Sequence, residues 1–240
     1  MKLYHGTTEA VARLAFERGL SPRGDTGVKS TWEDNPSRED MVYLSRGYAP
    51  YFAACATKDM EKWGIVEVDT DLMEEPLLHP DEDFLEQATR DDRGDLCDTS
   101  WGMQQRTEWY RDHIEQFQHC WKLSVKNLGN CAYLGQIVPS EVTRVAIYDP
   151  KSNPTMTMMA LDPMISIMNW SILGGTKYSA LTDWFFGMGL QPGHFEPMFF
   201  LKMPPGVEEF MASMEPMRKG IEDAIASRGG VELLERPVLA

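Results

Sequence analysis

The chain has 240 residues, 42% of them hydrophobic, and a formal net charge of −14 at pH 7. That length and apolar fraction suit one large domain or two small ones, and no run approaches the roughly 18 consecutive apolar residues of a membrane-spanning helix. The acidity argues against a protein that wraps duplex nucleic acid, because that affinity rests on Lys and Arg neutralising phosphates.

The first residues, Met1-Lys2-Leu3-Tyr4-His5, carry no apolar signal segment, so a cytoplasmic chain is expected. They form a short strand ending in His5-Gly6-Thr7, where glycine lets a ligand reach the backbone and Thr7 offers a hydroxyl that donates or accepts. Ala10, Leu14 and Ala15 share one face of the helix that follows, with Gly19 as its stop and Pro22 just beyond. Residues 24–40 are polar and aperiodic, a loop placed to close over a bound nucleotide. Val42-Tyr43-Leu44 reads as a second short strand, and Tyr48-Ala49-Pro50-Tyr51-Phe52 opens an Ala-rich helix that runs to Lys62, with Gly64 as its stop. Aromatic faces thus gather near one histidine. Arg13, Arg18, Arg23, Lys29, Arg38 and Arg46 make this part less acidic than the whole, a bias that suits a dianionic pyrophosphate.

Residues 64–70 alternate as a core β-strand, and Asp81 caps a short helix through Phe84 and Leu85. The run Asp81-Glu82-Asp83 is assigned to helix N-terminal charge rather than to a metal, since consecutive carboxylates diverge along a helix. Residues 86–102 are charged and read as an exposed excursion. Over 107–126 the spacing predicts the strongest internal helix, with Ile114, Phe117, Trp121 and Val125 on one stripe and Gly129 at its end. Strand, turn and short helix follow from Cys131 to Val142, then a strand at Val145-Ala146-Ile147-Tyr148. Residues 150–163 read as a linker, 208–227 as an amphipathic helix, and 231–234 as an edge strand. Cys55, Cys97, Cys120 and Cys131 show no Cys-x-x-Cys spacing, so they read as reduced thiols and no metal is expected.

The ordered set Tyr4-His5-Gly6-Thr7, Met41-Val42-Tyr43-Leu44-Ser45 and Tyr48-Ala49-Pro50-Tyr51 resembles the ADP-ribosyltransferase superfamily, in its histidine-tyrosine branch. That branch holds the poly(ADP-ribose) polymerases and the RNA 2′-phosphotransferase relatives. Their strands read roughly Trp-His-Gly-Ser and Gly-Ile-Tyr-Phe-Ala, and a helix opens with Ser-Ala-Asn-Tyr. The resemblance spans residues 3–53 well and 64–149 loosely.

It implies an α+β fold with a split β-sheet core and flanking helices over 1–150; residues 151–240, which the resemblance does not cover, read as a mostly helical C-terminal extension. It implies NAD as co-substrate, with His5 on a ribose, the Gly6 backbone on the nicotinamide amide and Thr7 on a ribose hydroxyl. Tyr43 and Tyr51 would sandwich the nicotinamide, with Ser45 and Tyr48 completing the cofactor-binding set. Tyr48 stands where the family has a serine. The third motif residue, often glutamate, has no clean counterpart: Gln136 is the nearest polar side chain and Glu141 lies beyond the Pro139 turn. His5, Tyr43 and Gln136 are therefore the expected catalytic set. In family terms a non-glutamate third position goes with transfer of a single ADP-ribose, so the expected function is an NAD-dependent mono-ADP-ribosyltransferase with an unidentified acceptor. The alternatives are an RNA 2′-phosphotransferase-like enzyme and an inactive NAD or ADP-ribose-binding module.

Overall fold

The short apolar run Leu3-Tyr4 lies in strand β1, Lys2–Thr8. Helix α1, Glu9–Arg18, starts at Thr8, whose hydroxyl accepts from the Val11 amide, and ends at Gly19, whose φ of 71° lies in the left-handed region that favours glycine. The computed structural model describes residues 1–30, 36–58, 60–90, 98, 100–161, 180–188, 216, 219–220 and 222–236. Within these follow α2 (Arg23–Thr26), β2 (Met41–Ser45), α3 (Ala49–Ala56), β3 (Trp63–Asp69), β4 (Leu78–Pro80) and α4 (Glu82–Arg90). Then come α5 (Met103–Asp112), α6 (Trp121–Asn127), β5 (Asn130–Leu134), β6 (Val142–Tyr148), α7 (Pro154–Leu161), α8 (Ala180–Phe185) and β7 (Val231–Glu235).

The fold is mixed α/β, with a seven-stranded antiparallel sheet in the order β4-β5-β2-β1-β3-β6-β7. β1 pairs with β3 along its whole length, from Lys2↔Asp69 to Thr8↔Trp63. With β2 it keeps a single registered pair, Tyr4↔Ser45. The sheet therefore parts between β1 and β2 beyond Tyr4.

One face carries a continuous core in which Leu3, Val42, Leu44, Val66 and Cys131 pack under Ala12 and Ala15 of α1 and Trp121 and Val125 of α6. The other face is divided. Tyr4, Ile65, Ala146 and Tyr148 pack with α3, α7 and α8, while Met41 and Ala132 pack separately under Ile114. The division falls where β1 and β2 separate, so this face carries two apolar cores with polar side chains between them.

Several expectations are corrected. α3 stops at Ala56, and Gly64 lies inside β3, where a Cβ would come within 2.3 Å of the Ala12 Cβ; the glycine lets α1 sit on the sheet. The helix expected over 107–126 breaks into α5, a 3-10 segment Ile114–Cys120, and α6. The break is at His113, whose ring stacks on Trp109 at 4.4 Å with Nδ1 2.8 Å from the Trp109 carbonyl. The linker expected at 150–163 contains α7, which Asn153 caps through Met156 N–H, and Met156, Met159 and Ala160 are core residues. Of the excursion 86–102, residues 91–97 and 99 lie outside the described residues, as does most of the helix expected over 208–227. Among the described residues no helix is long and apolar enough to cross a membrane.

Candidate functional site

β1 and β2 bring His5 and Tyr43 together where they separate. His5 Nδ1 lies 2.9 Å from the Tyr43 carbonyl. A carbonyl only accepts, so Nδ1 carries the proton, and a neutral ring keeps Nε2 as an acceptor. Burial pushes the imidazole pKa below its ordinary 6.5, against the Tyr43 carbonyl bond, which raises it. The neutral form thus prevails at neutral pH. By strand alternation His5 and Tyr43 leave the sheet on opposite faces. A ligand that touches both must occupy the gap itself.

Gly6 is the position where α3 closes on β1: a Cβ there would lie 2.0 Å from the Ala49 carbonyl oxygen and 2.5 Å from the Ala53 nitrogen. Thr7 is buried beside it. The Ser45 hydroxyl accepts from the Gly47 and Tyr48 amides at 3.1 and 2.8 Å, in the turn that leads into α3. Tyr48 is half-buried at the opening of α3, and its phenol pKa is raised by burial and by the charge of Asp81. Tyr51 stands two residues past Ala49, about 200° around the helix, so it leaves the face opposite the Ala49 and Ala53 contact. Its ring lies 5.9 Å from Phe52. Gln136 lies away from the gap: its amide donates to the Arg18 carbonyl at the end of α1 at 2.6 Å. Glu141 accepts from Tyr133 OH and Val138 N–H, a structural cap.

Other residues complete the site. The Tyr43 hydroxyl accepts from the Arg38 amide at 3.0 Å and donates to Glu82, whose two oxygens lie at 2.9 and 3.0 Å. Glu82 is 5% exposed, with Arg111 Nε 3.8 Å from Oε1. Burial raises the Glu82 pKa, opposed by hydrogen bonds from its own amide and from Tyr43. The Tyr43 phenol is held well above its usual range by burial first and by Glu82 and Asp81 next. Asp81 is the helix cap expected from sequence, accepting from Asp83 N–H at 2.8 Å. Asn130 opens β5 directly across from Ser45, on the Tyr43 face, and its buried amide oxygen has no partner. An open cavity of about 420 Å³ adjoins Tyr43 through Arg38, lined by Arg23, Arg38, Arg111, Asp40 and Glu115 among others.

Half of the expected basic residues are neutralised locally. Arg13 pairs with Glu9 and Glu232, Arg23 with Glu39, and Arg38 with Asp40 and Glu115. Among the described residues no group of His, Cys, Asp and Glu is arranged to hold a metal ion.

No family model matches the chain, and no curated protein matches it. Among solved structures EcPltA is similar over 61% of this chain and 75% of its own, at 7% identity and a TM-score of 0.34. A likeness that distant assigns nothing.

Proposed function

We propose that the chain is an NAD-dependent mono-ADP-ribosyltransferase built on an ADP-ribosyltransferase-like split sheet. The observation that carries the reading is the separation of β1 from β2 with His5 Nδ1 tied to the Tyr43 carbonyl. It sets a fixed imidazole acceptor and an aromatic ring on either side of one gap, with Tyr48 at the opening of α3 as the second aromatic.

In this reading NAD seats in the gap, and the neutral His5 accepts a ribose hydroxyl at Nε2. Tyr43 offers its ring to the cationic nicotinamide. Tyr48, at the opening of α3, is the second aromatic at the gap, a place Tyr51 is turned away from. Asn130 supplies the third polar group: its unpartnered amide oxygen accepts a ribose hydroxyl that a glutamate would otherwise hold. Nicotinamide leaves the ribose through an oxocarbenium-like state, and an acceptor nucleophile then attacks. The residues act by position and electrostatics, since the cationic ring already activates the glycosidic bond. An amide in place of a carboxylate suits one transfer rather than chain growth. The phosphotransferase alternative needs arginines free to converge on an RNA phosphate, and the pairing of Arg23 and Arg38 with carboxylates disfavours it.

Protein incubated with NAD labelled in the nicotinamide is expected to release the label, with or without added acceptor. No release at high protein concentration, with water, protein extracts and nucleic acids offered in turn, refutes the proposal.

A further inference from the structure

Tyr43 and Glu82 form a pair that the assignment of roles above leaves unexplained. Glu82 is a buried carboxylate whose two oxygens both face one phenol, and it comes from the first turn of α4, far from β2 in sequence. A buried carboxylate costs several kcal/mol of desolvation unless it is well paired, yet Arg111 approaches it only to 3.8 Å. Its closest partner is a neutral hydroxyl. A valine or leucine would fill the same volume without the charge.

A hydrogen bond from a phenol to an anion draws electron density into the ring. The Tyr43 hydroxyl also accepts from the Arg38 amide, which acts the other way, but a bond to an ionised acceptor outweighs one from a neutral donor. The ring faces become more negative and hold a cation better than a neutral ring of the same shape. NAD carries such a cation in its nicotinamide, and NADH carries the neutral counterpart.

We propose that Glu82 is a positioning residue that acts through the Tyr43 phenol to make its ring selective for the cationic, oxidised nicotinamide over the reduced one. The inference rests on the proposed NAD site. It sets affinity rather than the chemical step: as the glycosidic bond breaks, the nicotinamide loses its charge, so the Glu82 contribution belongs to the bound substrate and fades in the transition state.

The test measures dissociation constants for NAD and NADH by calorimetry, and KM and kcat by nicotinamide release, in the wild type, Glu82→Gln, Tyr43→Phe and the double variant. Gln keeps an acceptor for the hydroxyl while removing the charge. Phe keeps the ring and cuts the link. Burial raises the Glu82 pKa, so the measurements are repeated from neutral to alkaline pH; Asp81 and Asp83 of its own segment, Arg111 of α5 and the Arg38 amide face the same region.

Either single variant is expected to weaken NAD binding about three- to fivefold, leave NADH binding unchanged, raise KM and not lower kcat. The double variant is expected to lose no more than either single one. Equal losses for NAD and NADH, a fall in kcat at constant KM, or additive losses in the double variant overturn the inference. If Glu82→Gln does not fold, Tyr43→Phe alone decides, by the ratio of NAD to NADH affinity. A wild type that binds NAD selectively without releasing nicotinamide refutes the transferase reading and leaves this inference standing; one that binds neither removes both.

Discussion

His5 separates structure from chemistry because its two ring nitrogens do different things. Nδ1 ties β1 to β2 where the ladder between them has ended, and in the proposed reading Nε2 is the acceptor for a ribose hydroxyl. His5→Ala removes both: a part-buried carbonyl loses its donor, at a cost of about 1–2 kcal/mol. At roughly 2–4 °C per kcal/mol for a chain of this size, melting falls by several degrees. His5→Asn puts an amide N–H near the place of Nδ1 and nothing at Nε2. It is expected to restore most of the melting temperature while nicotinamide release stays about 10- to 100-fold low. The same pair gives a pH signature. Burial lowers the native pKa of His5 below 6.5, so the unfolded chain takes up the proton first. The stability tied to neutral His5 is therefore complete above about pH 6.5 and is lost as pH falls from there through the native value. The stability difference between wild type and His5→Asn should shrink over that window in chemical-denaturation titrations. Full nicotinamide release from folded His5→Asn, or a difference that does not change with pH, refutes the assignment of the two nitrogens.

Gly6→Ala places a methyl 2.0 Å from the Ala49 oxygen, so α3 must shift; a loss of about 1–3 kcal/mol is expected by urea unfolding, and wild-type stability would show that α3 does not close there. Asn130→Ala is expected to lower nicotinamide release at least tenfold with little change in melting, whereas Gln136→Ala should change neither by more than about 0.5 kcal/mol equivalent. The reverse pattern would return Gln136 to the site. Glu67, 1% exposed, accepts two bonds from Arg144 and one from Thr143. Glu67→Ala should cost about 3–5 kcal/mol by leaving the guanidinium uncompensated, and replacing both partners with Leu should recover much of it; equal losses in the single and double variants would refute that account.

What could be read from the sequence was what neighbours along the chain decide. β1, α1 and β2 follow from two short apolar runs and a glycine stop, and each signal lies within a few residues of the element it sets. The start of α7 was encoded just as locally, by Asn153 at the cap and Pro154 at the first helical position, though the surrounding prolines read as a linker. The break at His113 was hidden because no Gly or Pro marks it and the apolar stripe continues through the 3-10 turn. Glu82 was hidden for another reason. Consecutive carboxylates do diverge: Asp81 caps α4 and Asp83 faces solvent. That divergence points the middle one inward, and its partner on β2 is 39 positions away, where no periodicity reaches.

The same distinction explains why Tyr43 is the centre of the candidate site. Its main chain pairs with Ala132 of β5, its carbonyl takes His5 from β1, and its hydroxyl takes the Arg38 amide and gives to Glu82 of α4. Four separate segments converge on one residue, so its ring is fixed before any ligand arrives. Fixing it this way costs stability, since Asp81 and Glu82 are both buried acids whose pKa values rise with desolvation. An apolar residue at position 82 would be more stable and would leave the phenol free to turn. The geometry therefore favours order at the gap over maximal stability, and it does so where two apolar cores on one sheet face fail to meet.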